Sequence, residues 1–353
     1  MFRLALVGLF AFQFLLTSTA FAQAPKGDKK FAILEIDQAD EDFQYQGEYY
    51  GQIGNDCSWC GAAALGLQVV ARGDGHFVAS LYHGGLPGNG WDRSARVELE
   101  GARQGDVLFL TGGDFQIQVL HGGVVDVRDE AGHLLGQLLK TQRRSITLGA
   151  TPPPGSTVLF DGTSTDMLKD AEITEEGLLK EGTEFKNTYR SFRLHLEFRL
   201  PYMPYATGQA RSNSGVYLQS RYEVQILDSF GLEGVENECG GLYKQKRGDV
   251  NMCFPPLSWQ TYDIAFVAPK FDAQGEKIKN AFITVLLNGV PVHQDYSIIA
   301  KTGGGKQEGP DLFPIKLQDH TNPVRFRNIW IVDLSNQPDP VYCTPCQSLA
   351  CDP

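Results

Sequence analysis

Short runs in which apolar and polar residues alternate, cut about every dozen positions by Gly, Pro, Asn or Asp, extend along most of this chain, and segments with a helical period are scarce. In Arg221–Asp228 (RYEVQILD), Tyr222, Val224 and Ile226 alternate with Arg221, Glu223 and Gln225. Successive strand side chains point to opposite faces, so this stretch reads as a strand with one apolar and one polar face. Similar runs precede Pro152: residues 64–72 and 76–83, joined by Gly73-Asp74-Gly75, then 106–111, 115–120, 124–128 and 133–140. They resume at 157–160, 191–200, 216–219, 221–227, 260–267, 281–287, 290–294 and 324–332. Asn288-Gly289 supplies the positive φ angles that a tight hairpin turn demands. The reading is all-β in two parts, a smaller β-rich domain over 31–150 and a sandwich or jelly roll over 156–335. The proline-rich run 151–155 forms a stiff spacer between them, and a cysteine-containing tail covers 336–353.

The first residues carry one Arg, an apolar run over Leu4–Leu16 and an Ala20-Phe21-Ala22 site, the pattern of a secretory signal over 1–22 cleaved near Ala22. A secreted or periplasmic protein without a membrane span is expected, since no later stretch reaches about 18 apolar residues. A formal net charge of −11 repels phosphate backbones, which argues against nucleic acid as a partner. Seven cysteines in an exported chain favour disulfides and leave one thiol over. Cys239 and Cys253 flank a polar loop that a bridge would close, and that pairing is expected. Cys57, Cys60, Cys343 and Cys346 form two C-x-x-C pairs, compatible with a four-cysteine zinc site but read first as disulfide partners, with Cys351 beyond them.

The second part carries Leu159-Phe-Asp-Gly162, Asn213-Ser-Gly215, Arg221–Asp228, Trp259-Gln-Thr-Tyr-Asp263, Asn288-Gly289 with His293, Leu317-Gln-Asp-His320 and Pro323–Trp330. In this order the blocks resemble the 3-keto-disaccharide hydrolase family, also described as 3-keto-glucoside 1,2-lyase and 3-keto-2-hydroxyglucal hydratase. The resemblance covers about residues 156–334. It implies a concanavalin- or laminarinase-like jelly roll whose one sheet holds sugar. The first domain, with Gln46–Tyr49 and Leu81–Trp91, resembles a β-domain found ahead of this module in secreted bacterial proteins.

The implied substrate is a 3-keto sugar or glycoside, supplied by a separate sugar 3-dehydrogenase. A ketone at C3 acidifies the proton at C2, so one base, one electrophile and a departing C1 substituent suffice for β-elimination. Water added to the product gives net hydrolysis. Glu223 is the first choice of base. His320 is the second, or the acid that protonates the leaving oxygen. Arg325 or Arg327 would polarise the ketone, unless one divalent metal ion held by Glu223 and His320 does so. Asn213, Tyr217, Arg221, Gln225 and Gln318 would bind sugar. Two rivals stand beside this reading: a non-catalytic sugar-binding module, and a direct glycan hydrolase. For the latter, Glu223 and Asp228 match the outer carboxylates of an E-x-D-x-x-E strand, with Gln225 in place of the middle Asp. His293, Trp259 and Trp330 read as structural.

Overall fold

The computed structural model describes residues 27–54 and 63–336. The expected signal sequence, Cys57, Cys60 and the three cysteines of the tail lie outside the described residues. Eight antiparallel strands form a closed barrel: β1 (Gly47–Ile53), β2 (Ala63–Ala71), β3 (His76–His83), β4 (Val97–Gln104), β5 (Val107–Gly112), β6 (Phe115–Leu120), β7 (Val124–Asp129) and β8 (Leu134–Thr141). Pairing of β1 with β8 closes it, and Leu65, Leu67, Val69, Leu108, Ile117 and Val127 fill the interior. β1 and β4 are additions to the strands expected from the sequence. Each carries a glycine in the tight barrel wall: a Cβ on Gly51 would collide with Gln137 O, and one on Gly101 with Phe109 O.

The following strands are β9 (Thr157–Phe160), β10 (Leu168–Lys169), β11 (Leu179–Lys180), β12 (Thr183–Thr188), β13 (Phe192–Arg199), β14 (Ser214–Leu218), β15 (Tyr222–Ile226) and β16 (Trp259–Val267). After them come β17 (Lys270–Phe271), β18 (Lys277–Lys279), β19 (Ala281–Leu287), β20 (Val290–Ile298), β21 (Pro314–Leu317) and β22 (Arg325–Asp333). All but β17 and β18, which pair with each other, build a jelly-roll sandwich. One sheet has the order β10-β12-β21-β14-β15; the other runs β11-β22-β13-β16-β19-β20 with β9 on β22. Tyr222, Val224 and Ile226 of one sheet meet Phe192, Ile264 and Phe266 of the other in a continuous buried core. The Asn288-Gly289 turn takes φ of 55° and 80° between β19 and β20. No helix among the described residues is long and apolar enough to cross a membrane.

Barrel and sandwich share a packed boundary. Val70, Val78 and Trp91 of the barrel join the sandwich core. Arg143 pairs with the buried Glu48 of β1 and lies 5.1 Å over the ring of Phe254. The segment that follows is a strap across the seven-stranded sheet. Ser145 Oγ meets Thr261 Oγ1 at 2.6 Å, Thr147 Oγ1 donates to Asp263 at 2.6 Å, and Gly149 N donates to Glu197 Oε1 at 2.5 Å. Asn328 and Trp330 both donate to Ala150 O. Beneath the strap His195 is fully buried, 2.6 Å from Asp263 and stacked on Trp330. Burial disfavours its charged form, but Asp263 and Glu197 outweigh that and raise its pKa to about 9. Glu197 is held near 2 because hydrogen bonds from His195, Asn328, Arg327 and Gly149 overcome its burial.

A chain that begins at Gly155 loses the strap and leaves Glu197 short of a donor. Hydrogen bonds to charged groups contribute about 1.5–3 kcal/mol each, so such a chain is expected to unfold at least ~2 kcal/mol more readily than one beginning at Gln142. Urea midpoints for the two chains check this, and equal midpoints refute it.

Candidate active site

Gln219 and Ser220, both with left-handed φ (49° and 51°), turn β14 into β15. The register then sets Tyr217 opposite Glu223 and Gly215 opposite Gln225. Because Tyr222, Val224 and Ile226 point into the core, Glu223 and Gln225 face outward with Tyr217 and Gly215. The segment after Cys239 runs back along the free edge of β15. Gly240 N donates to Gln225 O, Gln225 N to Gly241 O and Tyr243 N to Glu223 O, while Leu242 bridges Val224. Leu242 is in the core, so alternation brings Tyr243 to the face of Glu223. Across the sheet this gives a row Tyr217, Glu223, Tyr243. A second row reads Gln318, Gly215, Gln225, Gly241, since Gln318 N donates to Gly215 O.

These rows floor a cavity of about 180 Å³ lined by Gln209, Asn213, Tyr217, Glu223, Gln225, Tyr243, Gly304, Gln318 and His320. Tyr217 O–H donates to Glu223 Oε2 at 2.7 Å. The amide of Gln225, turned with its nitrogen towards the carboxylate, donates to Glu223 Oε1 at 3.1 Å and to Ser214 O at 2.9 Å. Gly215 is required here, for a Cβ would lie 2.5 Å from Glu223 Oε1. Burial pushes the Glu223 carboxyl up to about 7, with the Tyr217 hydrogen bond pulling the other way. Burial and the adjacent carboxylate raise the Tyr217 phenol far above its ordinary value, so it remains a neutral donor. Asn213 Nδ2 donates to Gln209 O, and the buried Gln318 Oε1 has no protein donor. An amide oxygen in that state is an acceptor for a ligand hydroxyl.

Six of the nine residues expected at the site therefore line one cavity: Glu223, His320, Asn213, Tyr217, Gln225 and Gln318. Three arginines do not. Arg221 stands at the end of the β14–β15 turn, where Nε donates to Gln307 O and the guanidinium lies 4.8 Å over Phe313, fully buried. Arg325 and Arg327 belong to β22 in the other sheet. With Phe326 in the core they face away from it, paired with Glu181 and Glu197. The bridge expected between Cys239 and Cys253 is also not formed: both are buried free thiols, Cys239 Sγ lying 3.4 Å from Tyr262 Oη and Cys253 Sγ donating to Leu227 O at 3.5 Å. His293 is buried, with Nε2 at 2.7 Å from Gly240 O, and Trp330 lies on the opposite sheet. Gln209, Tyr243 and Gly304 were not read from the sequence, since each reaches the cavity from outside the sheet strands, Gln209 from the short 3-10 helix Gly208–Ala210 and the other two from loops.

For a metal, Glu223 and His320 are the candidate ligands within the cavity. Among the described residues no cluster of three or more His, Cys, Asp or Glu is set to hold an ion. Two protein ligands are fewer than the three of a catalytic zinc centre.

The Tyr217 hydrogen bond favours the ionised form of Glu223, so Tyr217→Phe is expected to move the carboxyl still further above 7. If Glu223 acts as a base, the acid limb of kcat/KM against pH shifts upward by about one unit or less. An unmoved limb means that this contact does not tune the working group.

A jelly roll with a small polar cavity on one sheet, walled by amides and phenols around one carboxylate, is built as a carbohydrate-active protein. Residues 155–332 match the family described as the 3-keto-alpha-glucoside-1,2-lyase-like domain, and the chain belongs to that family. Two crystal structures of candidate glycosyl hydrolases from Parabacteroides distasonis ATCC 8503 are similar to it. One, at 2.13 Å resolution, is 30% identical with a TM-score of 0.46, over 52% of this chain and 85% of that one. The other, at 1.70 Å, is 19% identical with a TM-score of 0.37, over 51% of this chain and 94% of that one. A comparison with curated proteins finds no match.

Proposed function

We propose that the protein cleaves 3-keto-glycosides, by removal of the C2 proton and β-elimination at C1, followed by hydration to the free 3-keto sugar. The observation that carries this reading is the buried carboxylate of Glu223, poised near neutrality in a cavity of sugar-binding amides. A general base works best when its pKa lies near the operating pH. Glu223 takes the C2 proton, and the electron pair of that bond passes towards the C3 carbonyl. His320, exposed at the cavity rim, protonates the departing C1 oxygen as the C1–O bond breaks and C1=C2 forms. Gln318, Asn213 and Gln225 hold ring hydroxyls. The 3-keto group must be installed by a separate sugar 3-dehydrogenase, and the secretory pattern of the amino-terminal sequence supports a site of action outside the cytoplasm.

Direct retaining hydrolysis has less support, because it needs a second carboxylate about 5 Å from the first. Glu223 is the sole carboxylate among the residues lining the cavity. Asp228, the other carboxylate of that strand motif, is bound to Arg211 at 2.6 Å. Incubation with a 3-keto-glucoside and with the unmodified glucoside, followed by mass spectrometry, tests the proposal. Aglycone release from the keto substrate alone supports it. Release from the plain glucoside favours a glycan hydrolase, and binding without release favours a sugar-binding module.

A further inference from the structure

With Arg325 and Arg327 on the opposite sheet and Arg221 buried in the protein, no guanidinium faces the carbonyl of a substrate held over Glu223. No Lys or Arg is among the residues that line the cavity. The nearest cation in this row by register is Lys316, paired with Tyr217 on β21; it stands beyond Tyr217 from Glu223 and does not line the cavity. Proton removal from C2 places negative charge on O3, and an oxyanion in a water-poor site needs a donor aimed at it. The Tyr217 hydroxyl is already committed to Glu223 Oε2. Tyr243 flanks Glu223 on the other side, fixed through its own N–H to Glu223 O at 3.1 Å, with its ring beside Gly303. Among the described residues its hydroxyl has no hydrogen-bond partner.

On the reading of the reaction given above, we infer that Tyr243 is a catalytic residue whose O–H donates to the C3 oxygen as the enolate forms. In the first step Glu223 gains the C2 proton, the C2–H pair becomes the C2=C3 bond, and the carbonyl π pair moves onto O3 against the Tyr243 hydroxyl. In the second, that pair returns to restore C3=O while C1=C2 forms and C1–O breaks, the leaving oxygen taking a proton from His320. No oxidant or reductant is consumed. A neutral phenol opposite a carboxylate base suits an enolate, because it stabilises the oxyanion without neutralising the base.

Three features of the fold hold the phenol in place. The edge pairing of Gly240–Tyr243 with β15 fixes its backbone. The start of the same loop is tied to the barrel, where Ser80 Oγ and Arg96 Nη1 both donate to Gly231 O. Arg93 of the barrel donates to Asp249 O near its end.

The experiment compares wild type, Tyr243→Phe and Lys316→Met on a 3-keto-glucoside labelled with 13C at C3. Tyr243→Phe keeps the ring and removes one oxygen, and is expected to lower kcat by 10²–10³-fold with KM within about threefold, the loss typical of one oxyanion donor. The bound-state carbonyl resonance, read at a pH low enough to suppress turnover, is expected downfield in wild type and shifted upfield in Tyr243→Phe. Lys316→Met should leave both unchanged. A Tyr243→Phe enzyme with wild-type kcat and carbonyl shift, or a loss found in Lys316→Met instead, overturns the inference while the lyase reading stands. A wild-type protein that neither binds nor cleaves the keto sugar overturns the lyase reading, and this inference with it.

Discussion

Replacing Glu223 with Gln is expected to lower turnover of a 3-keto-glucoside by 10²–10⁴-fold while leaving ligand binding within a few-fold of wild type. The substitution keeps the size of the side chain and an acceptor within reach of Tyr217, and removes its basicity together with one of its two acceptor oxygens. Binding measured by calorimetry with a slow or unreactive keto sugar separates the two effects. A Glu223→Gln protein that turns over normally would reduce the polar row of β15 to a sugar-facing surface without chemistry. The same substitution has a second expected result of opposite sign. Glu223 titrates near 7 in the folded protein, against about 4.5 when unfolded, so between those values the folded state holds more protons. Stability then falls as pH rises through that window, and above it the buried charge is carried in full. Glu223→Gln is therefore expected to melt higher than wild type at pH 8 and alike at pH 4. Groups placed for chemistry at a cost in stability show this pairing of lost activity with gained stability.

The parity of RYEVQILD was enough to place Glu223 and Gln225 on the outer face and Tyr222, Val224 and Ile226 in the core, because strand alternation is a local property. Arg221 shares that parity but lost the face for an equally local reason: the turn occupies Gln219 and Ser220, and the residue leaving it is covered by the loop that carries Gln307 and Phe313. Arg325 and Arg327 failed differently. Their spacing says that they share a face, but which of two sheets a strand joins is settled by pairing with β13, far away in the chain. Tyr243 was beyond reach for the same cause, since its place depends on a loop adding itself to the edge of β15. The barrel was visible as a rhythm of strands, although β1 and β4 did not stand out in it. Periodicity reports on a strand's neighbours along the chain. Closure, sheet membership and edge addition depend on contacts that sequence distance hides.

Neutralising Asp228 as Asp228→Asn is expected to cost about 3–5 kcal/mol of stability, the range for breaking a buried ion pair from one side. Asp228 accepts from Arg211 Nε at 2.6 Å and from Phe230 N at 3.3 Å, and both partners of the ion pair are almost wholly buried. Arg211 has no protein acceptor for either terminal nitrogen, so this carboxylate is its one charge partner among the described residues. Arg72 of the barrel adds to the strain, because burial and the neighbouring Arg211 both depress its pKa. With Asp228 neutral, a guanidinium remains inside the protein beside a second cation. Removing both charges, as Arg211→Met with Asp228→Asn, should recover most of the loss, because the pair together is worth far less than either member alone. Denaturant midpoints of the two single variants and the double variant measure this coupling. Activity supplies the sharper distinction. Asp228 is not among the residues lining the cavity, so the folded fraction of Asp228→Asn should retain wild-type kcat on a 3-keto-glucoside. A variant that keeps its stability but loses turnover would instead make Asp228 a second working carboxylate, and would return the strand to the glycan hydrolases whose motif it half resembles.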